Sequence, residues 1–176
     1  MRFQSFSLLA LAGLGMAKSW AGKNLPDGSY DGIVHPDGSV TFKSADSSES
    51  FTFDLVDDDQ SDHLGKRSTS SCYGDILDHE GVVVASNKLR SWAGAGHELT
   101  SGDTTAAHIE IHNGVQVYYC VNAPNSSGNL NVEDINFALY WMDQDCIPFE
   151  ASHFWWPDNS IEIVGKAGQT TPICLG

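Results

Sequence analysis

Basic residues are scarce in this chain. Its 176 residues contain nine Lys and Arg against 23 Asp and Glu, which gives a formal net charge of −14 at pH 7. Such a negative field repels phosphate backbones and anionic lipids, so binding to nucleic acid or to a membrane surface by simple electrostatics is disfavoured. A cationic partner or an acidic medium fits this charge better.

Motifs of catalysis and cofactor binding are also missing. The four cysteines contain no C-x-x-C pair, which leaves zinc binding and thioredoxin chemistry without support. No Gly-rich phosphate loop and no nucleophile elbow occurs, so the sequence gives no positive sign of an enzyme or of a cofactor.

Long apolar runs are absent as well. The longest, Phe6 to Met16, is too short to cross a hydrocarbon core, which needs about twenty residues. It follows Arg2 and precedes the small-residue site Ser19-Trp20-Ala21, a pattern typical of a secretory signal peptide over residues 1–21. We therefore expect a secreted, extracellular protein without stable membrane insertion.

Residues 22–67 have the composition of an acidic pro-segment. They are rich in Asp, Ser and Gly, lack cysteine, and end in Lys66-Arg67, a dibasic pair of the kind that a kexin-like protease cuts. The segment has too few large apolar residues for a core of its own. Its alternating run from Phe51 to Val56 predicts an edge strand added to the sheet of the mature domain, residues 68–176.

Hydrophobic periodicity in residues 68–176 predicts four strands and two helices in the order βαββαβ. The sheet is expected to be antiparallel and four-stranded, covered by both helices in an α+β sandwich with two disulfides. The first helix is capped by Asp78 and ends at Gly94, and the second is capped by Asn131, with Phe137 and Trp141 broadening its apolar stripe. The predicted strands are Ser70 to Leu77, the two arms of a hairpin around Asn113-Gly114, and Ser160 to Val164.

The four cysteines, Cys72, Cys120, Cys146 and Cys174, predict two disulfides that stabilise a small domain. In a βαββαβ topology the start of the first strand and the end of the third lie at the same edge of neighbouring strands. Pairing of Cys72 with Cys120 and of Cys146 with Cys174 follows as a hypothesis. Three connectivities remain open, because sequence cannot choose among them.

Several local motifs give the mature part a family resemblance. Cys120 closes a strand, Asn131-Val132-Glu133-Asp134-Ile135 opens a helix, and Gly165-Lys166-Ala167-Gly168 precedes the last cysteine. In these features residues 68–176 resemble the fungal family of necrosis-inducing extracellular effectors, and also killer-toxin-like secreted proteins with a βαββαβ sandwich. The resemblance implies an effector or toxin without known catalytic residues, which binds a protein or cell-surface target of a host or of a competing microbe.

Two acidic and histidine-rich groups are the candidate sites for an alternative function, that of a small secreted hydrolase. His108, Glu110 and His112 alternate on one side of a strand, which is a weak candidate set for a divalent metal. The simpler interpretation is the solvent face of an amphipathic strand. The second group, before the first helix, is Asp75, Asp78, His79 and Glu80, for which helix capping is the simpler explanation.

An aromatic run and a glycosylation motif complete the candidate sites. Phe154, Trp155 and Trp156 form a candidate binding surface, because such rings offer a large contact area at little entropic cost. The alternative is that two or three rings of this run cover the edge of the sheet or a helix. Two adjacent Trp residues in an extended segment face opposite ways, so at most one of them is expected in the core. Asn125-Ser126-Ser127 matches the N-glycosylation pattern in a polar loop.

The order of these segments predicts the N-terminus of the secreted protein. Cleavage after Arg67 leaves Ser68 as the first residue, and N-terminal sequencing of the secreted protein should find it. Changing Lys66 and Arg67 to Ala should give a species larger by the mass of the pro-segment, whereas a stable wild-type species that begins near Gly22 would contradict the scheme.

Overall fold

The computed structural model describes residues 25–35, 39–54, 70–157, 160–171 and 173–174, which form ten strands and two helices. The helices are α1 (His79–Ala93) and α2 (Val132–Asp145). The strands are β1 (Gly28–Val34), β2 (Ser39–Ser44), β3 (Ser50–Asp54), β4 (Ser70–Ile76), β5 (His97–Thr100), β6 (Ala106–His112), β7 (Val115–Val121), β8 (Ser127–Leu130), β9 (Glu150–Trp155) and β10 (Glu162–Gly168).

Eight of these strands form one antiparallel sheet in the order β3-β2-β1-β6-β7-β10-β9-β4, and β5 pairs with β8 in a separate small sheet. The predicted α+β class, the antiparallel sheet and the two helices are confirmed, but the prediction of a four-stranded sheet is wrong. Three additional strands come from residues 28–54, and β9 comes from the aromatic run that was interpreted as a contact surface. The expected edge strand is present as β3, which pairs with β2 rather than directly with the strands of residues 70–168.

The β6–β7 hairpin lies in the middle of the sheet. Its turn is Asn113-Gly114, with φ of 49° and 73°, as the Asn-Gly pair predicted. Every residue of β7 is buried, and so is every residue of β6 except His112. The hairpin therefore has two buried faces, and the expectation that only one face would be buried is wrong.

Both helices cover the same face of the sheet and begin where the sequence predicted, and α1 also ends at the predicted Gly94. The Asp78 side chain accepts a hydrogen bond from the Gly81 N–H at 2.7 Å, which caps the start of α1. Asn131 forms a capping box with Asp134 at the start of α2. Neither helix, nor any other in the described part of the chain, is long and apolar enough to cross a membrane.

The C-terminal segment lies on the opposite face of the sheet. The Gln116 amide on β7 donates to the carbonyl oxygens of Gly168 and Thr171, at 2.9 and 2.7 Å. The Gln169 amide donates to the carbonyl of Leu25. These contacts and the burial of Ile173 close the core on the face that carries no helix.

The disulfides connect Cys72 with Cys146 and Cys120 with Cys174, each with Cα atoms 5.7 Å apart. The hypothesis that paired Cys72 with Cys120 is wrong, and the strand order gives the reason. β4 lies at an edge of the sheet, and β9 and β10 separate it from β7. Cys72 consequently meets the C-terminal end of α2, whereas Cys120 meets the C-terminal segment.

Gly165 on β10 leaves room for the ring of Tyr118, which lies opposite it on the neighbouring strand β7. A Cβ atom at Gly165 would lie 2.2 Å from the Tyr118 ring, so the ring occupies the space that any other side chain would need. Next to it, Tyr73 and the Nδ1 of His153 share a hydrogen bond of 2.5 Å between β4 and β9. Burial lowers the pKa of His153 to about 4, so its ring is neutral at pH 7.

The close approach of the Tyr118 ring to Gly165 predicts that one added methyl group destabilises the protein. Gly165→Ala should lower the free energy of unfolding by about 1–3 kcal/mol, because Tyr118 must move from a packed position. Gly102→Ala is the control, since a Cβ at Gly102 meets nothing within 4 Å. Urea titration of both variants measures the difference, and equal stabilities would contradict the packing argument.

Candidate functional site

The most polar part of the core lies where β1 joins β6. The antiparallel register places Ser29 opposite Glu110 and Asp31 opposite His108. All four side chains lie on the sheet face that the helices cover, because residues two apart on a strand share a face. The N-terminal segment thus supplies half of a cluster whose other half was predicted from the hairpin.

Hydrogen bonds link the four side chains in a chain. His108 bonds through Nδ1 to the Asp31 carboxylate at 2.8 Å and through Nε2 to the Glu110 carboxylate at 3.0 Å. The Ser29 hydroxyl donates to the other Glu110 oxygen at 2.5 Å. His108 is fully buried and Glu110 is 2% exposed, whereas the Asp31 side chain is 51% exposed.

These surroundings favour the charged form of His108. Burial alone would lower its pKa, but the hydrogen bonds that its ring makes to the Asp31 and Glu110 carboxylates outweigh that effect and raise the pKa above its ordinary value. Trp92 of α1 stacks on the imidazole, with ring centroids 3.9 Å apart and planes at 8°. The indole face lies against a cationic ring, which adds a favourable cation–π contact. His97 stacks on Trp92 as well, at 4.0 Å.

An open cleft of about 640 Å³ lies beside this cluster. Glu110, Ser29 and Trp92 line it together with Asp46, Asn87 and Lys88. Residues of α1 line one side of the cleft, and the segment after β2 lines the other side. The cleft therefore borders the polar cluster on the side of Glu110 and Ser29.

The hydrogen bonds of the cluster hold β1 against β6. Both nitrogens of His108 and both oxygens of Glu110 are engaged, so neither residue offers a free base. His112 pairs with Asp27 at 2.9 Å, and the ligand atoms of His108, Glu110 and His112 do not converge on one ion position among the described residues. The interpretation of these residues as a solvent-exposed face is wrong, because β1 and α1 cover His108 and Glu110.

The group at the start of α1 has a local role. Asp78 is the helix cap, and Glu80 lies in the first turn, where a carboxylate complements the helix dipole. His79 stacks on Phe149 with ring centroids 3.8 Å apart. Asp75, His79 and Glu80 are exposed, and the contacts of Asp78 and His79 are those of a cap and a ring stack.

The predicted aromatic surface is mostly interior. Phe154 is 3% exposed, which favours the alternative that its ring covers the sheet and offers little area to a partner. Trp155 and Trp156 are both half-buried, which agrees with the expectation that they are not both in the core. The Trp155 indole donates to the Ser160 carbonyl at 2.5 Å, and Trp156 packs edge-on against Phe154 at 5.1 Å.

A larger exposed aromatic surface lies on α2. Phe137, Tyr140 and Trp141 are 48%, 57% and 41% exposed, and Ile147 just after the helix is 64% exposed. The ring centroids of Phe137 and Trp141 are 6.2 Å apart, and those of Tyr140 and Trp141 are 5.6 Å apart. We call these four residues the α2 aromatic face. Sequence reasoning placed Phe137 and Trp141 in the buried stripe, although their i, i+4 spacing does place them on one side of the helix.

Asn125 is exposed in the loop between β7 and β8. The predicted signal peptide and the Lys66-Arg67 site lie outside the described residues. The described part of the segment 22–67 forms β1, β2 and β3.

The chain was compared with known protein families, with curated proteins and with solved structures, and no match was found in any of them.

The buried cluster predicts a stability effect that depends on pH. His108→Gln should cost about 3–5 kcal/mol of unfolding free energy, because it removes one partner of a buried ion pair and leaves Glu110 without its counter-charge. His112→Gln is the control and should cost at most about 1 kcal/mol, since that pair is partly exposed.

The sign of the pH dependence follows from the raised pKa of His108. Its contribution is fully present below the ordinary pKa of 6.5 and is lost as the pH rises through the higher pKa of the folded state. Denaturant unfolding of the wild type between pH 6 and 9 should show this decline, and His108→Gln should lack it. A decline of equal size in both proteins would show that another group is responsible.

Proposed function

We propose that this protein is a secreted effector or killer-toxin-like protein that acts by binding, with the α2 aromatic face as its contact surface. The observation that carries the proposal is the exposure of three large rings on one side of one helix, with an exposed Ile just after that helix. Folded proteins rarely leave such a contiguous apolar surface open unless a partner covers it.

The composition of this face favours a protein partner. Aromatic residues dominate the binding energy of protein interfaces, since they bury a large area and lose few degrees of freedom. Phe137 is anchored edge-on against the buried Phe154 at 5.6 Å, so the face is held by the core before any partner binds. A surface ordered in advance pays less entropy on binding.

The charge around the α2 aromatic face favours a basic partner. Glu133 lies one turn before Phe137 on the same side of the helix, and Asp145 lies close to Ile147. The basic residues in residues 68–176 are only Lys88, Arg90 and Lys166, and Lys166 is buried against Asp143. We infer an apolar pocket ringed by Lys or Arg on a protein at the surface of a host or competitor cell.

Two alanine variants test this proposal. Trp141→Ala and Phe137→Ala should each reduce cell-death or growth-inhibition activity and binding to target cells roughly tenfold, as expected for the loss of a central aromatic contact. Thermal unfolding should change little for Trp141→Ala, which removes a half-exposed ring.

Val83→Ala is the matched control, because Val83 is 50% exposed on α1 and lies outside the α2 aromatic face. It should retain full activity. Full activity of Trp141→Ala and Phe137→Ala would remove this face as the contact surface, and turnover of glycan, peptide or nucleic-acid substrates would favour the hydrolase alternative.

A further inference from the structure

The three N-terminal strands have no core without the rest of the chain. Their largest buried side chains, Tyr30, Val40 and Phe42, are at most 3% exposed and belong to the same hydrophobic cluster as the central hairpin. The rings of Phe51 and Phe53 cover Tyr30 and Phe42 edge-on, yet are themselves only partly buried. The apolar side chains of β1 and β2 are buried against those of the central hairpin, so this unit depends on the sheet that it joins.

The central hairpin depends on the N-terminal strands in return. Six consecutive register pairs join β1 to β6, from Gly28 with Ile111 to Ile33 with Ala106. Without β1, β6 would expose unpaired backbone groups along an edge that carries Ile109 and Ile111, which are fully buried in the folded protein. Such an edge invites aggregation, and natural sheets normally blunt it.

Polar contacts across this boundary are specific. Asp31 bonds to His108 and Ser29 bonds to Glu110, as described above, and Asp27 pairs with His112 at 2.9 Å. The Asp27 carboxylate also accepts the Asn113 backbone N–H at 3.2 Å. Residues 22–67 and residues 68–176 are both acidic overall. Where the two parts are in contact, however, Asp27 and Asp31 of the N-terminal part pair with His112 and His108 of the C-terminal part.

The position of the unit does not suit a mask for the proposed contact surface. β1, β2 and β3 lie at one end of the sheet, whereas β9 and β4, against which α2 packs, lie at the other end. Removing the unit would therefore uncover the hairpin and not the α2 aromatic face.

We propose that residues 25–54 are a permanent part of the folded protein, so that a cut between residues 54 and 70 gives a two-chain protein and releases no pro-segment. The polar side chains of Ser29 and Asp31 then stay in place beside His108 after cleavage. The inference does not depend on target binding, because it concerns only how the two parts hold each other.

Cleavage of the purified full-length protein tests the proposal. A kexin-like protease is applied until denaturing electrophoresis shows two fragments, and the product is then analysed by gel filtration and native mass spectrometry. All four cysteines lie after residue 71 and both disulfides are within that part, so no covalent link joins the fragments. A single particle with the mass of both fragments supports the proposal, and separate fragments in native buffer overturn it.

A variant in which residues 61–67 are replaced by the recognition sequence of a site-specific protease gives the same test without reliance on Lys66-Arg67.

Hydrogen exchange of the uncut protein adds a measurement that needs no cut. Backbone amides of β1 that bond to β6 should be protected as strongly as those of the β6–β7 hairpin, whereas fast exchange confined to residues 28–44 would contradict a permanent attachment.

Asp31→Asn tests the polar contacts in the cleaved protein. It weakens a charge-assisted hydrogen bond to His108, so release of the N-terminal fragment on dilution should be roughly tenfold faster. Asp46→Asn is the control. Asp46 is exposed in the same fragment, and among the described residues it bonds through its backbone N–H and not through its carboxylate. Equal release from both variants would show that the ion pairs play no part in the attachment.

Discussion

The burial of the β6–β7 hairpin on both faces and at both edges is the constraint on which the rest of the structure depends. Buried backbone N–H and C=O groups need partners, so a hairpin in this position must have a strand on each side. β1 supplies one partner and β10 the other. Its two apolar faces need cover, which α1 gives on one side and the C-terminal segment with Cys174 on the other.

The same constraint explains the polar residues inside the protein. A charge in the middle of a sheet is tolerated only with partners that satisfy its hydrogen bonds. His108 receives two carboxylates and the face of Trp92, and Gln116 on the opposite face donates to two backbone carbonyls. These contacts draw the N-terminal strands, α1 and the C-terminal segment onto the hairpin. The polar core thus fixes which parts of the chain meet, and the outer side of α2 stays exposed.

Local signals predicted what depends on neighbouring residues. Asn113-Gly114 fixed the turn of the hairpin, and Asp78 and Asn131 fixed the starts of the helices, because each side chain bonds to backbone within a few positions. The last strand was also found, although it runs over Glu162–Gly168 and not over Ser160–Val164. β9 was missed because its aromatic run lacks the polar and apolar alternation of a half-buried strand, being covered on both faces. The position of His108 and Glu110 was misread for a similar reason. Alternation of polar and apolar residues places them on one face of the strand, but it cannot show that a distant strand and a helix cover that face.

The sequence by itself determined the acidic charge, the class of the fold, the two helices with their caps, the central hairpin, and the presence of cysteines suited to two disulfides. Each of these follows from composition or from contacts within a few residues. Only the tertiary structure decided the strand order, the pairing of Cys72 with Cys146, the meeting of Asp31 with His108, and the exposure of Phe137 and Trp141. These features join residues as far apart in the chain as Ser70 and Phe154, or depend on which side of a helix the sheet covers. Such contacts are chosen by the packing of the whole chain, because a single periodic pattern is compatible with several partners.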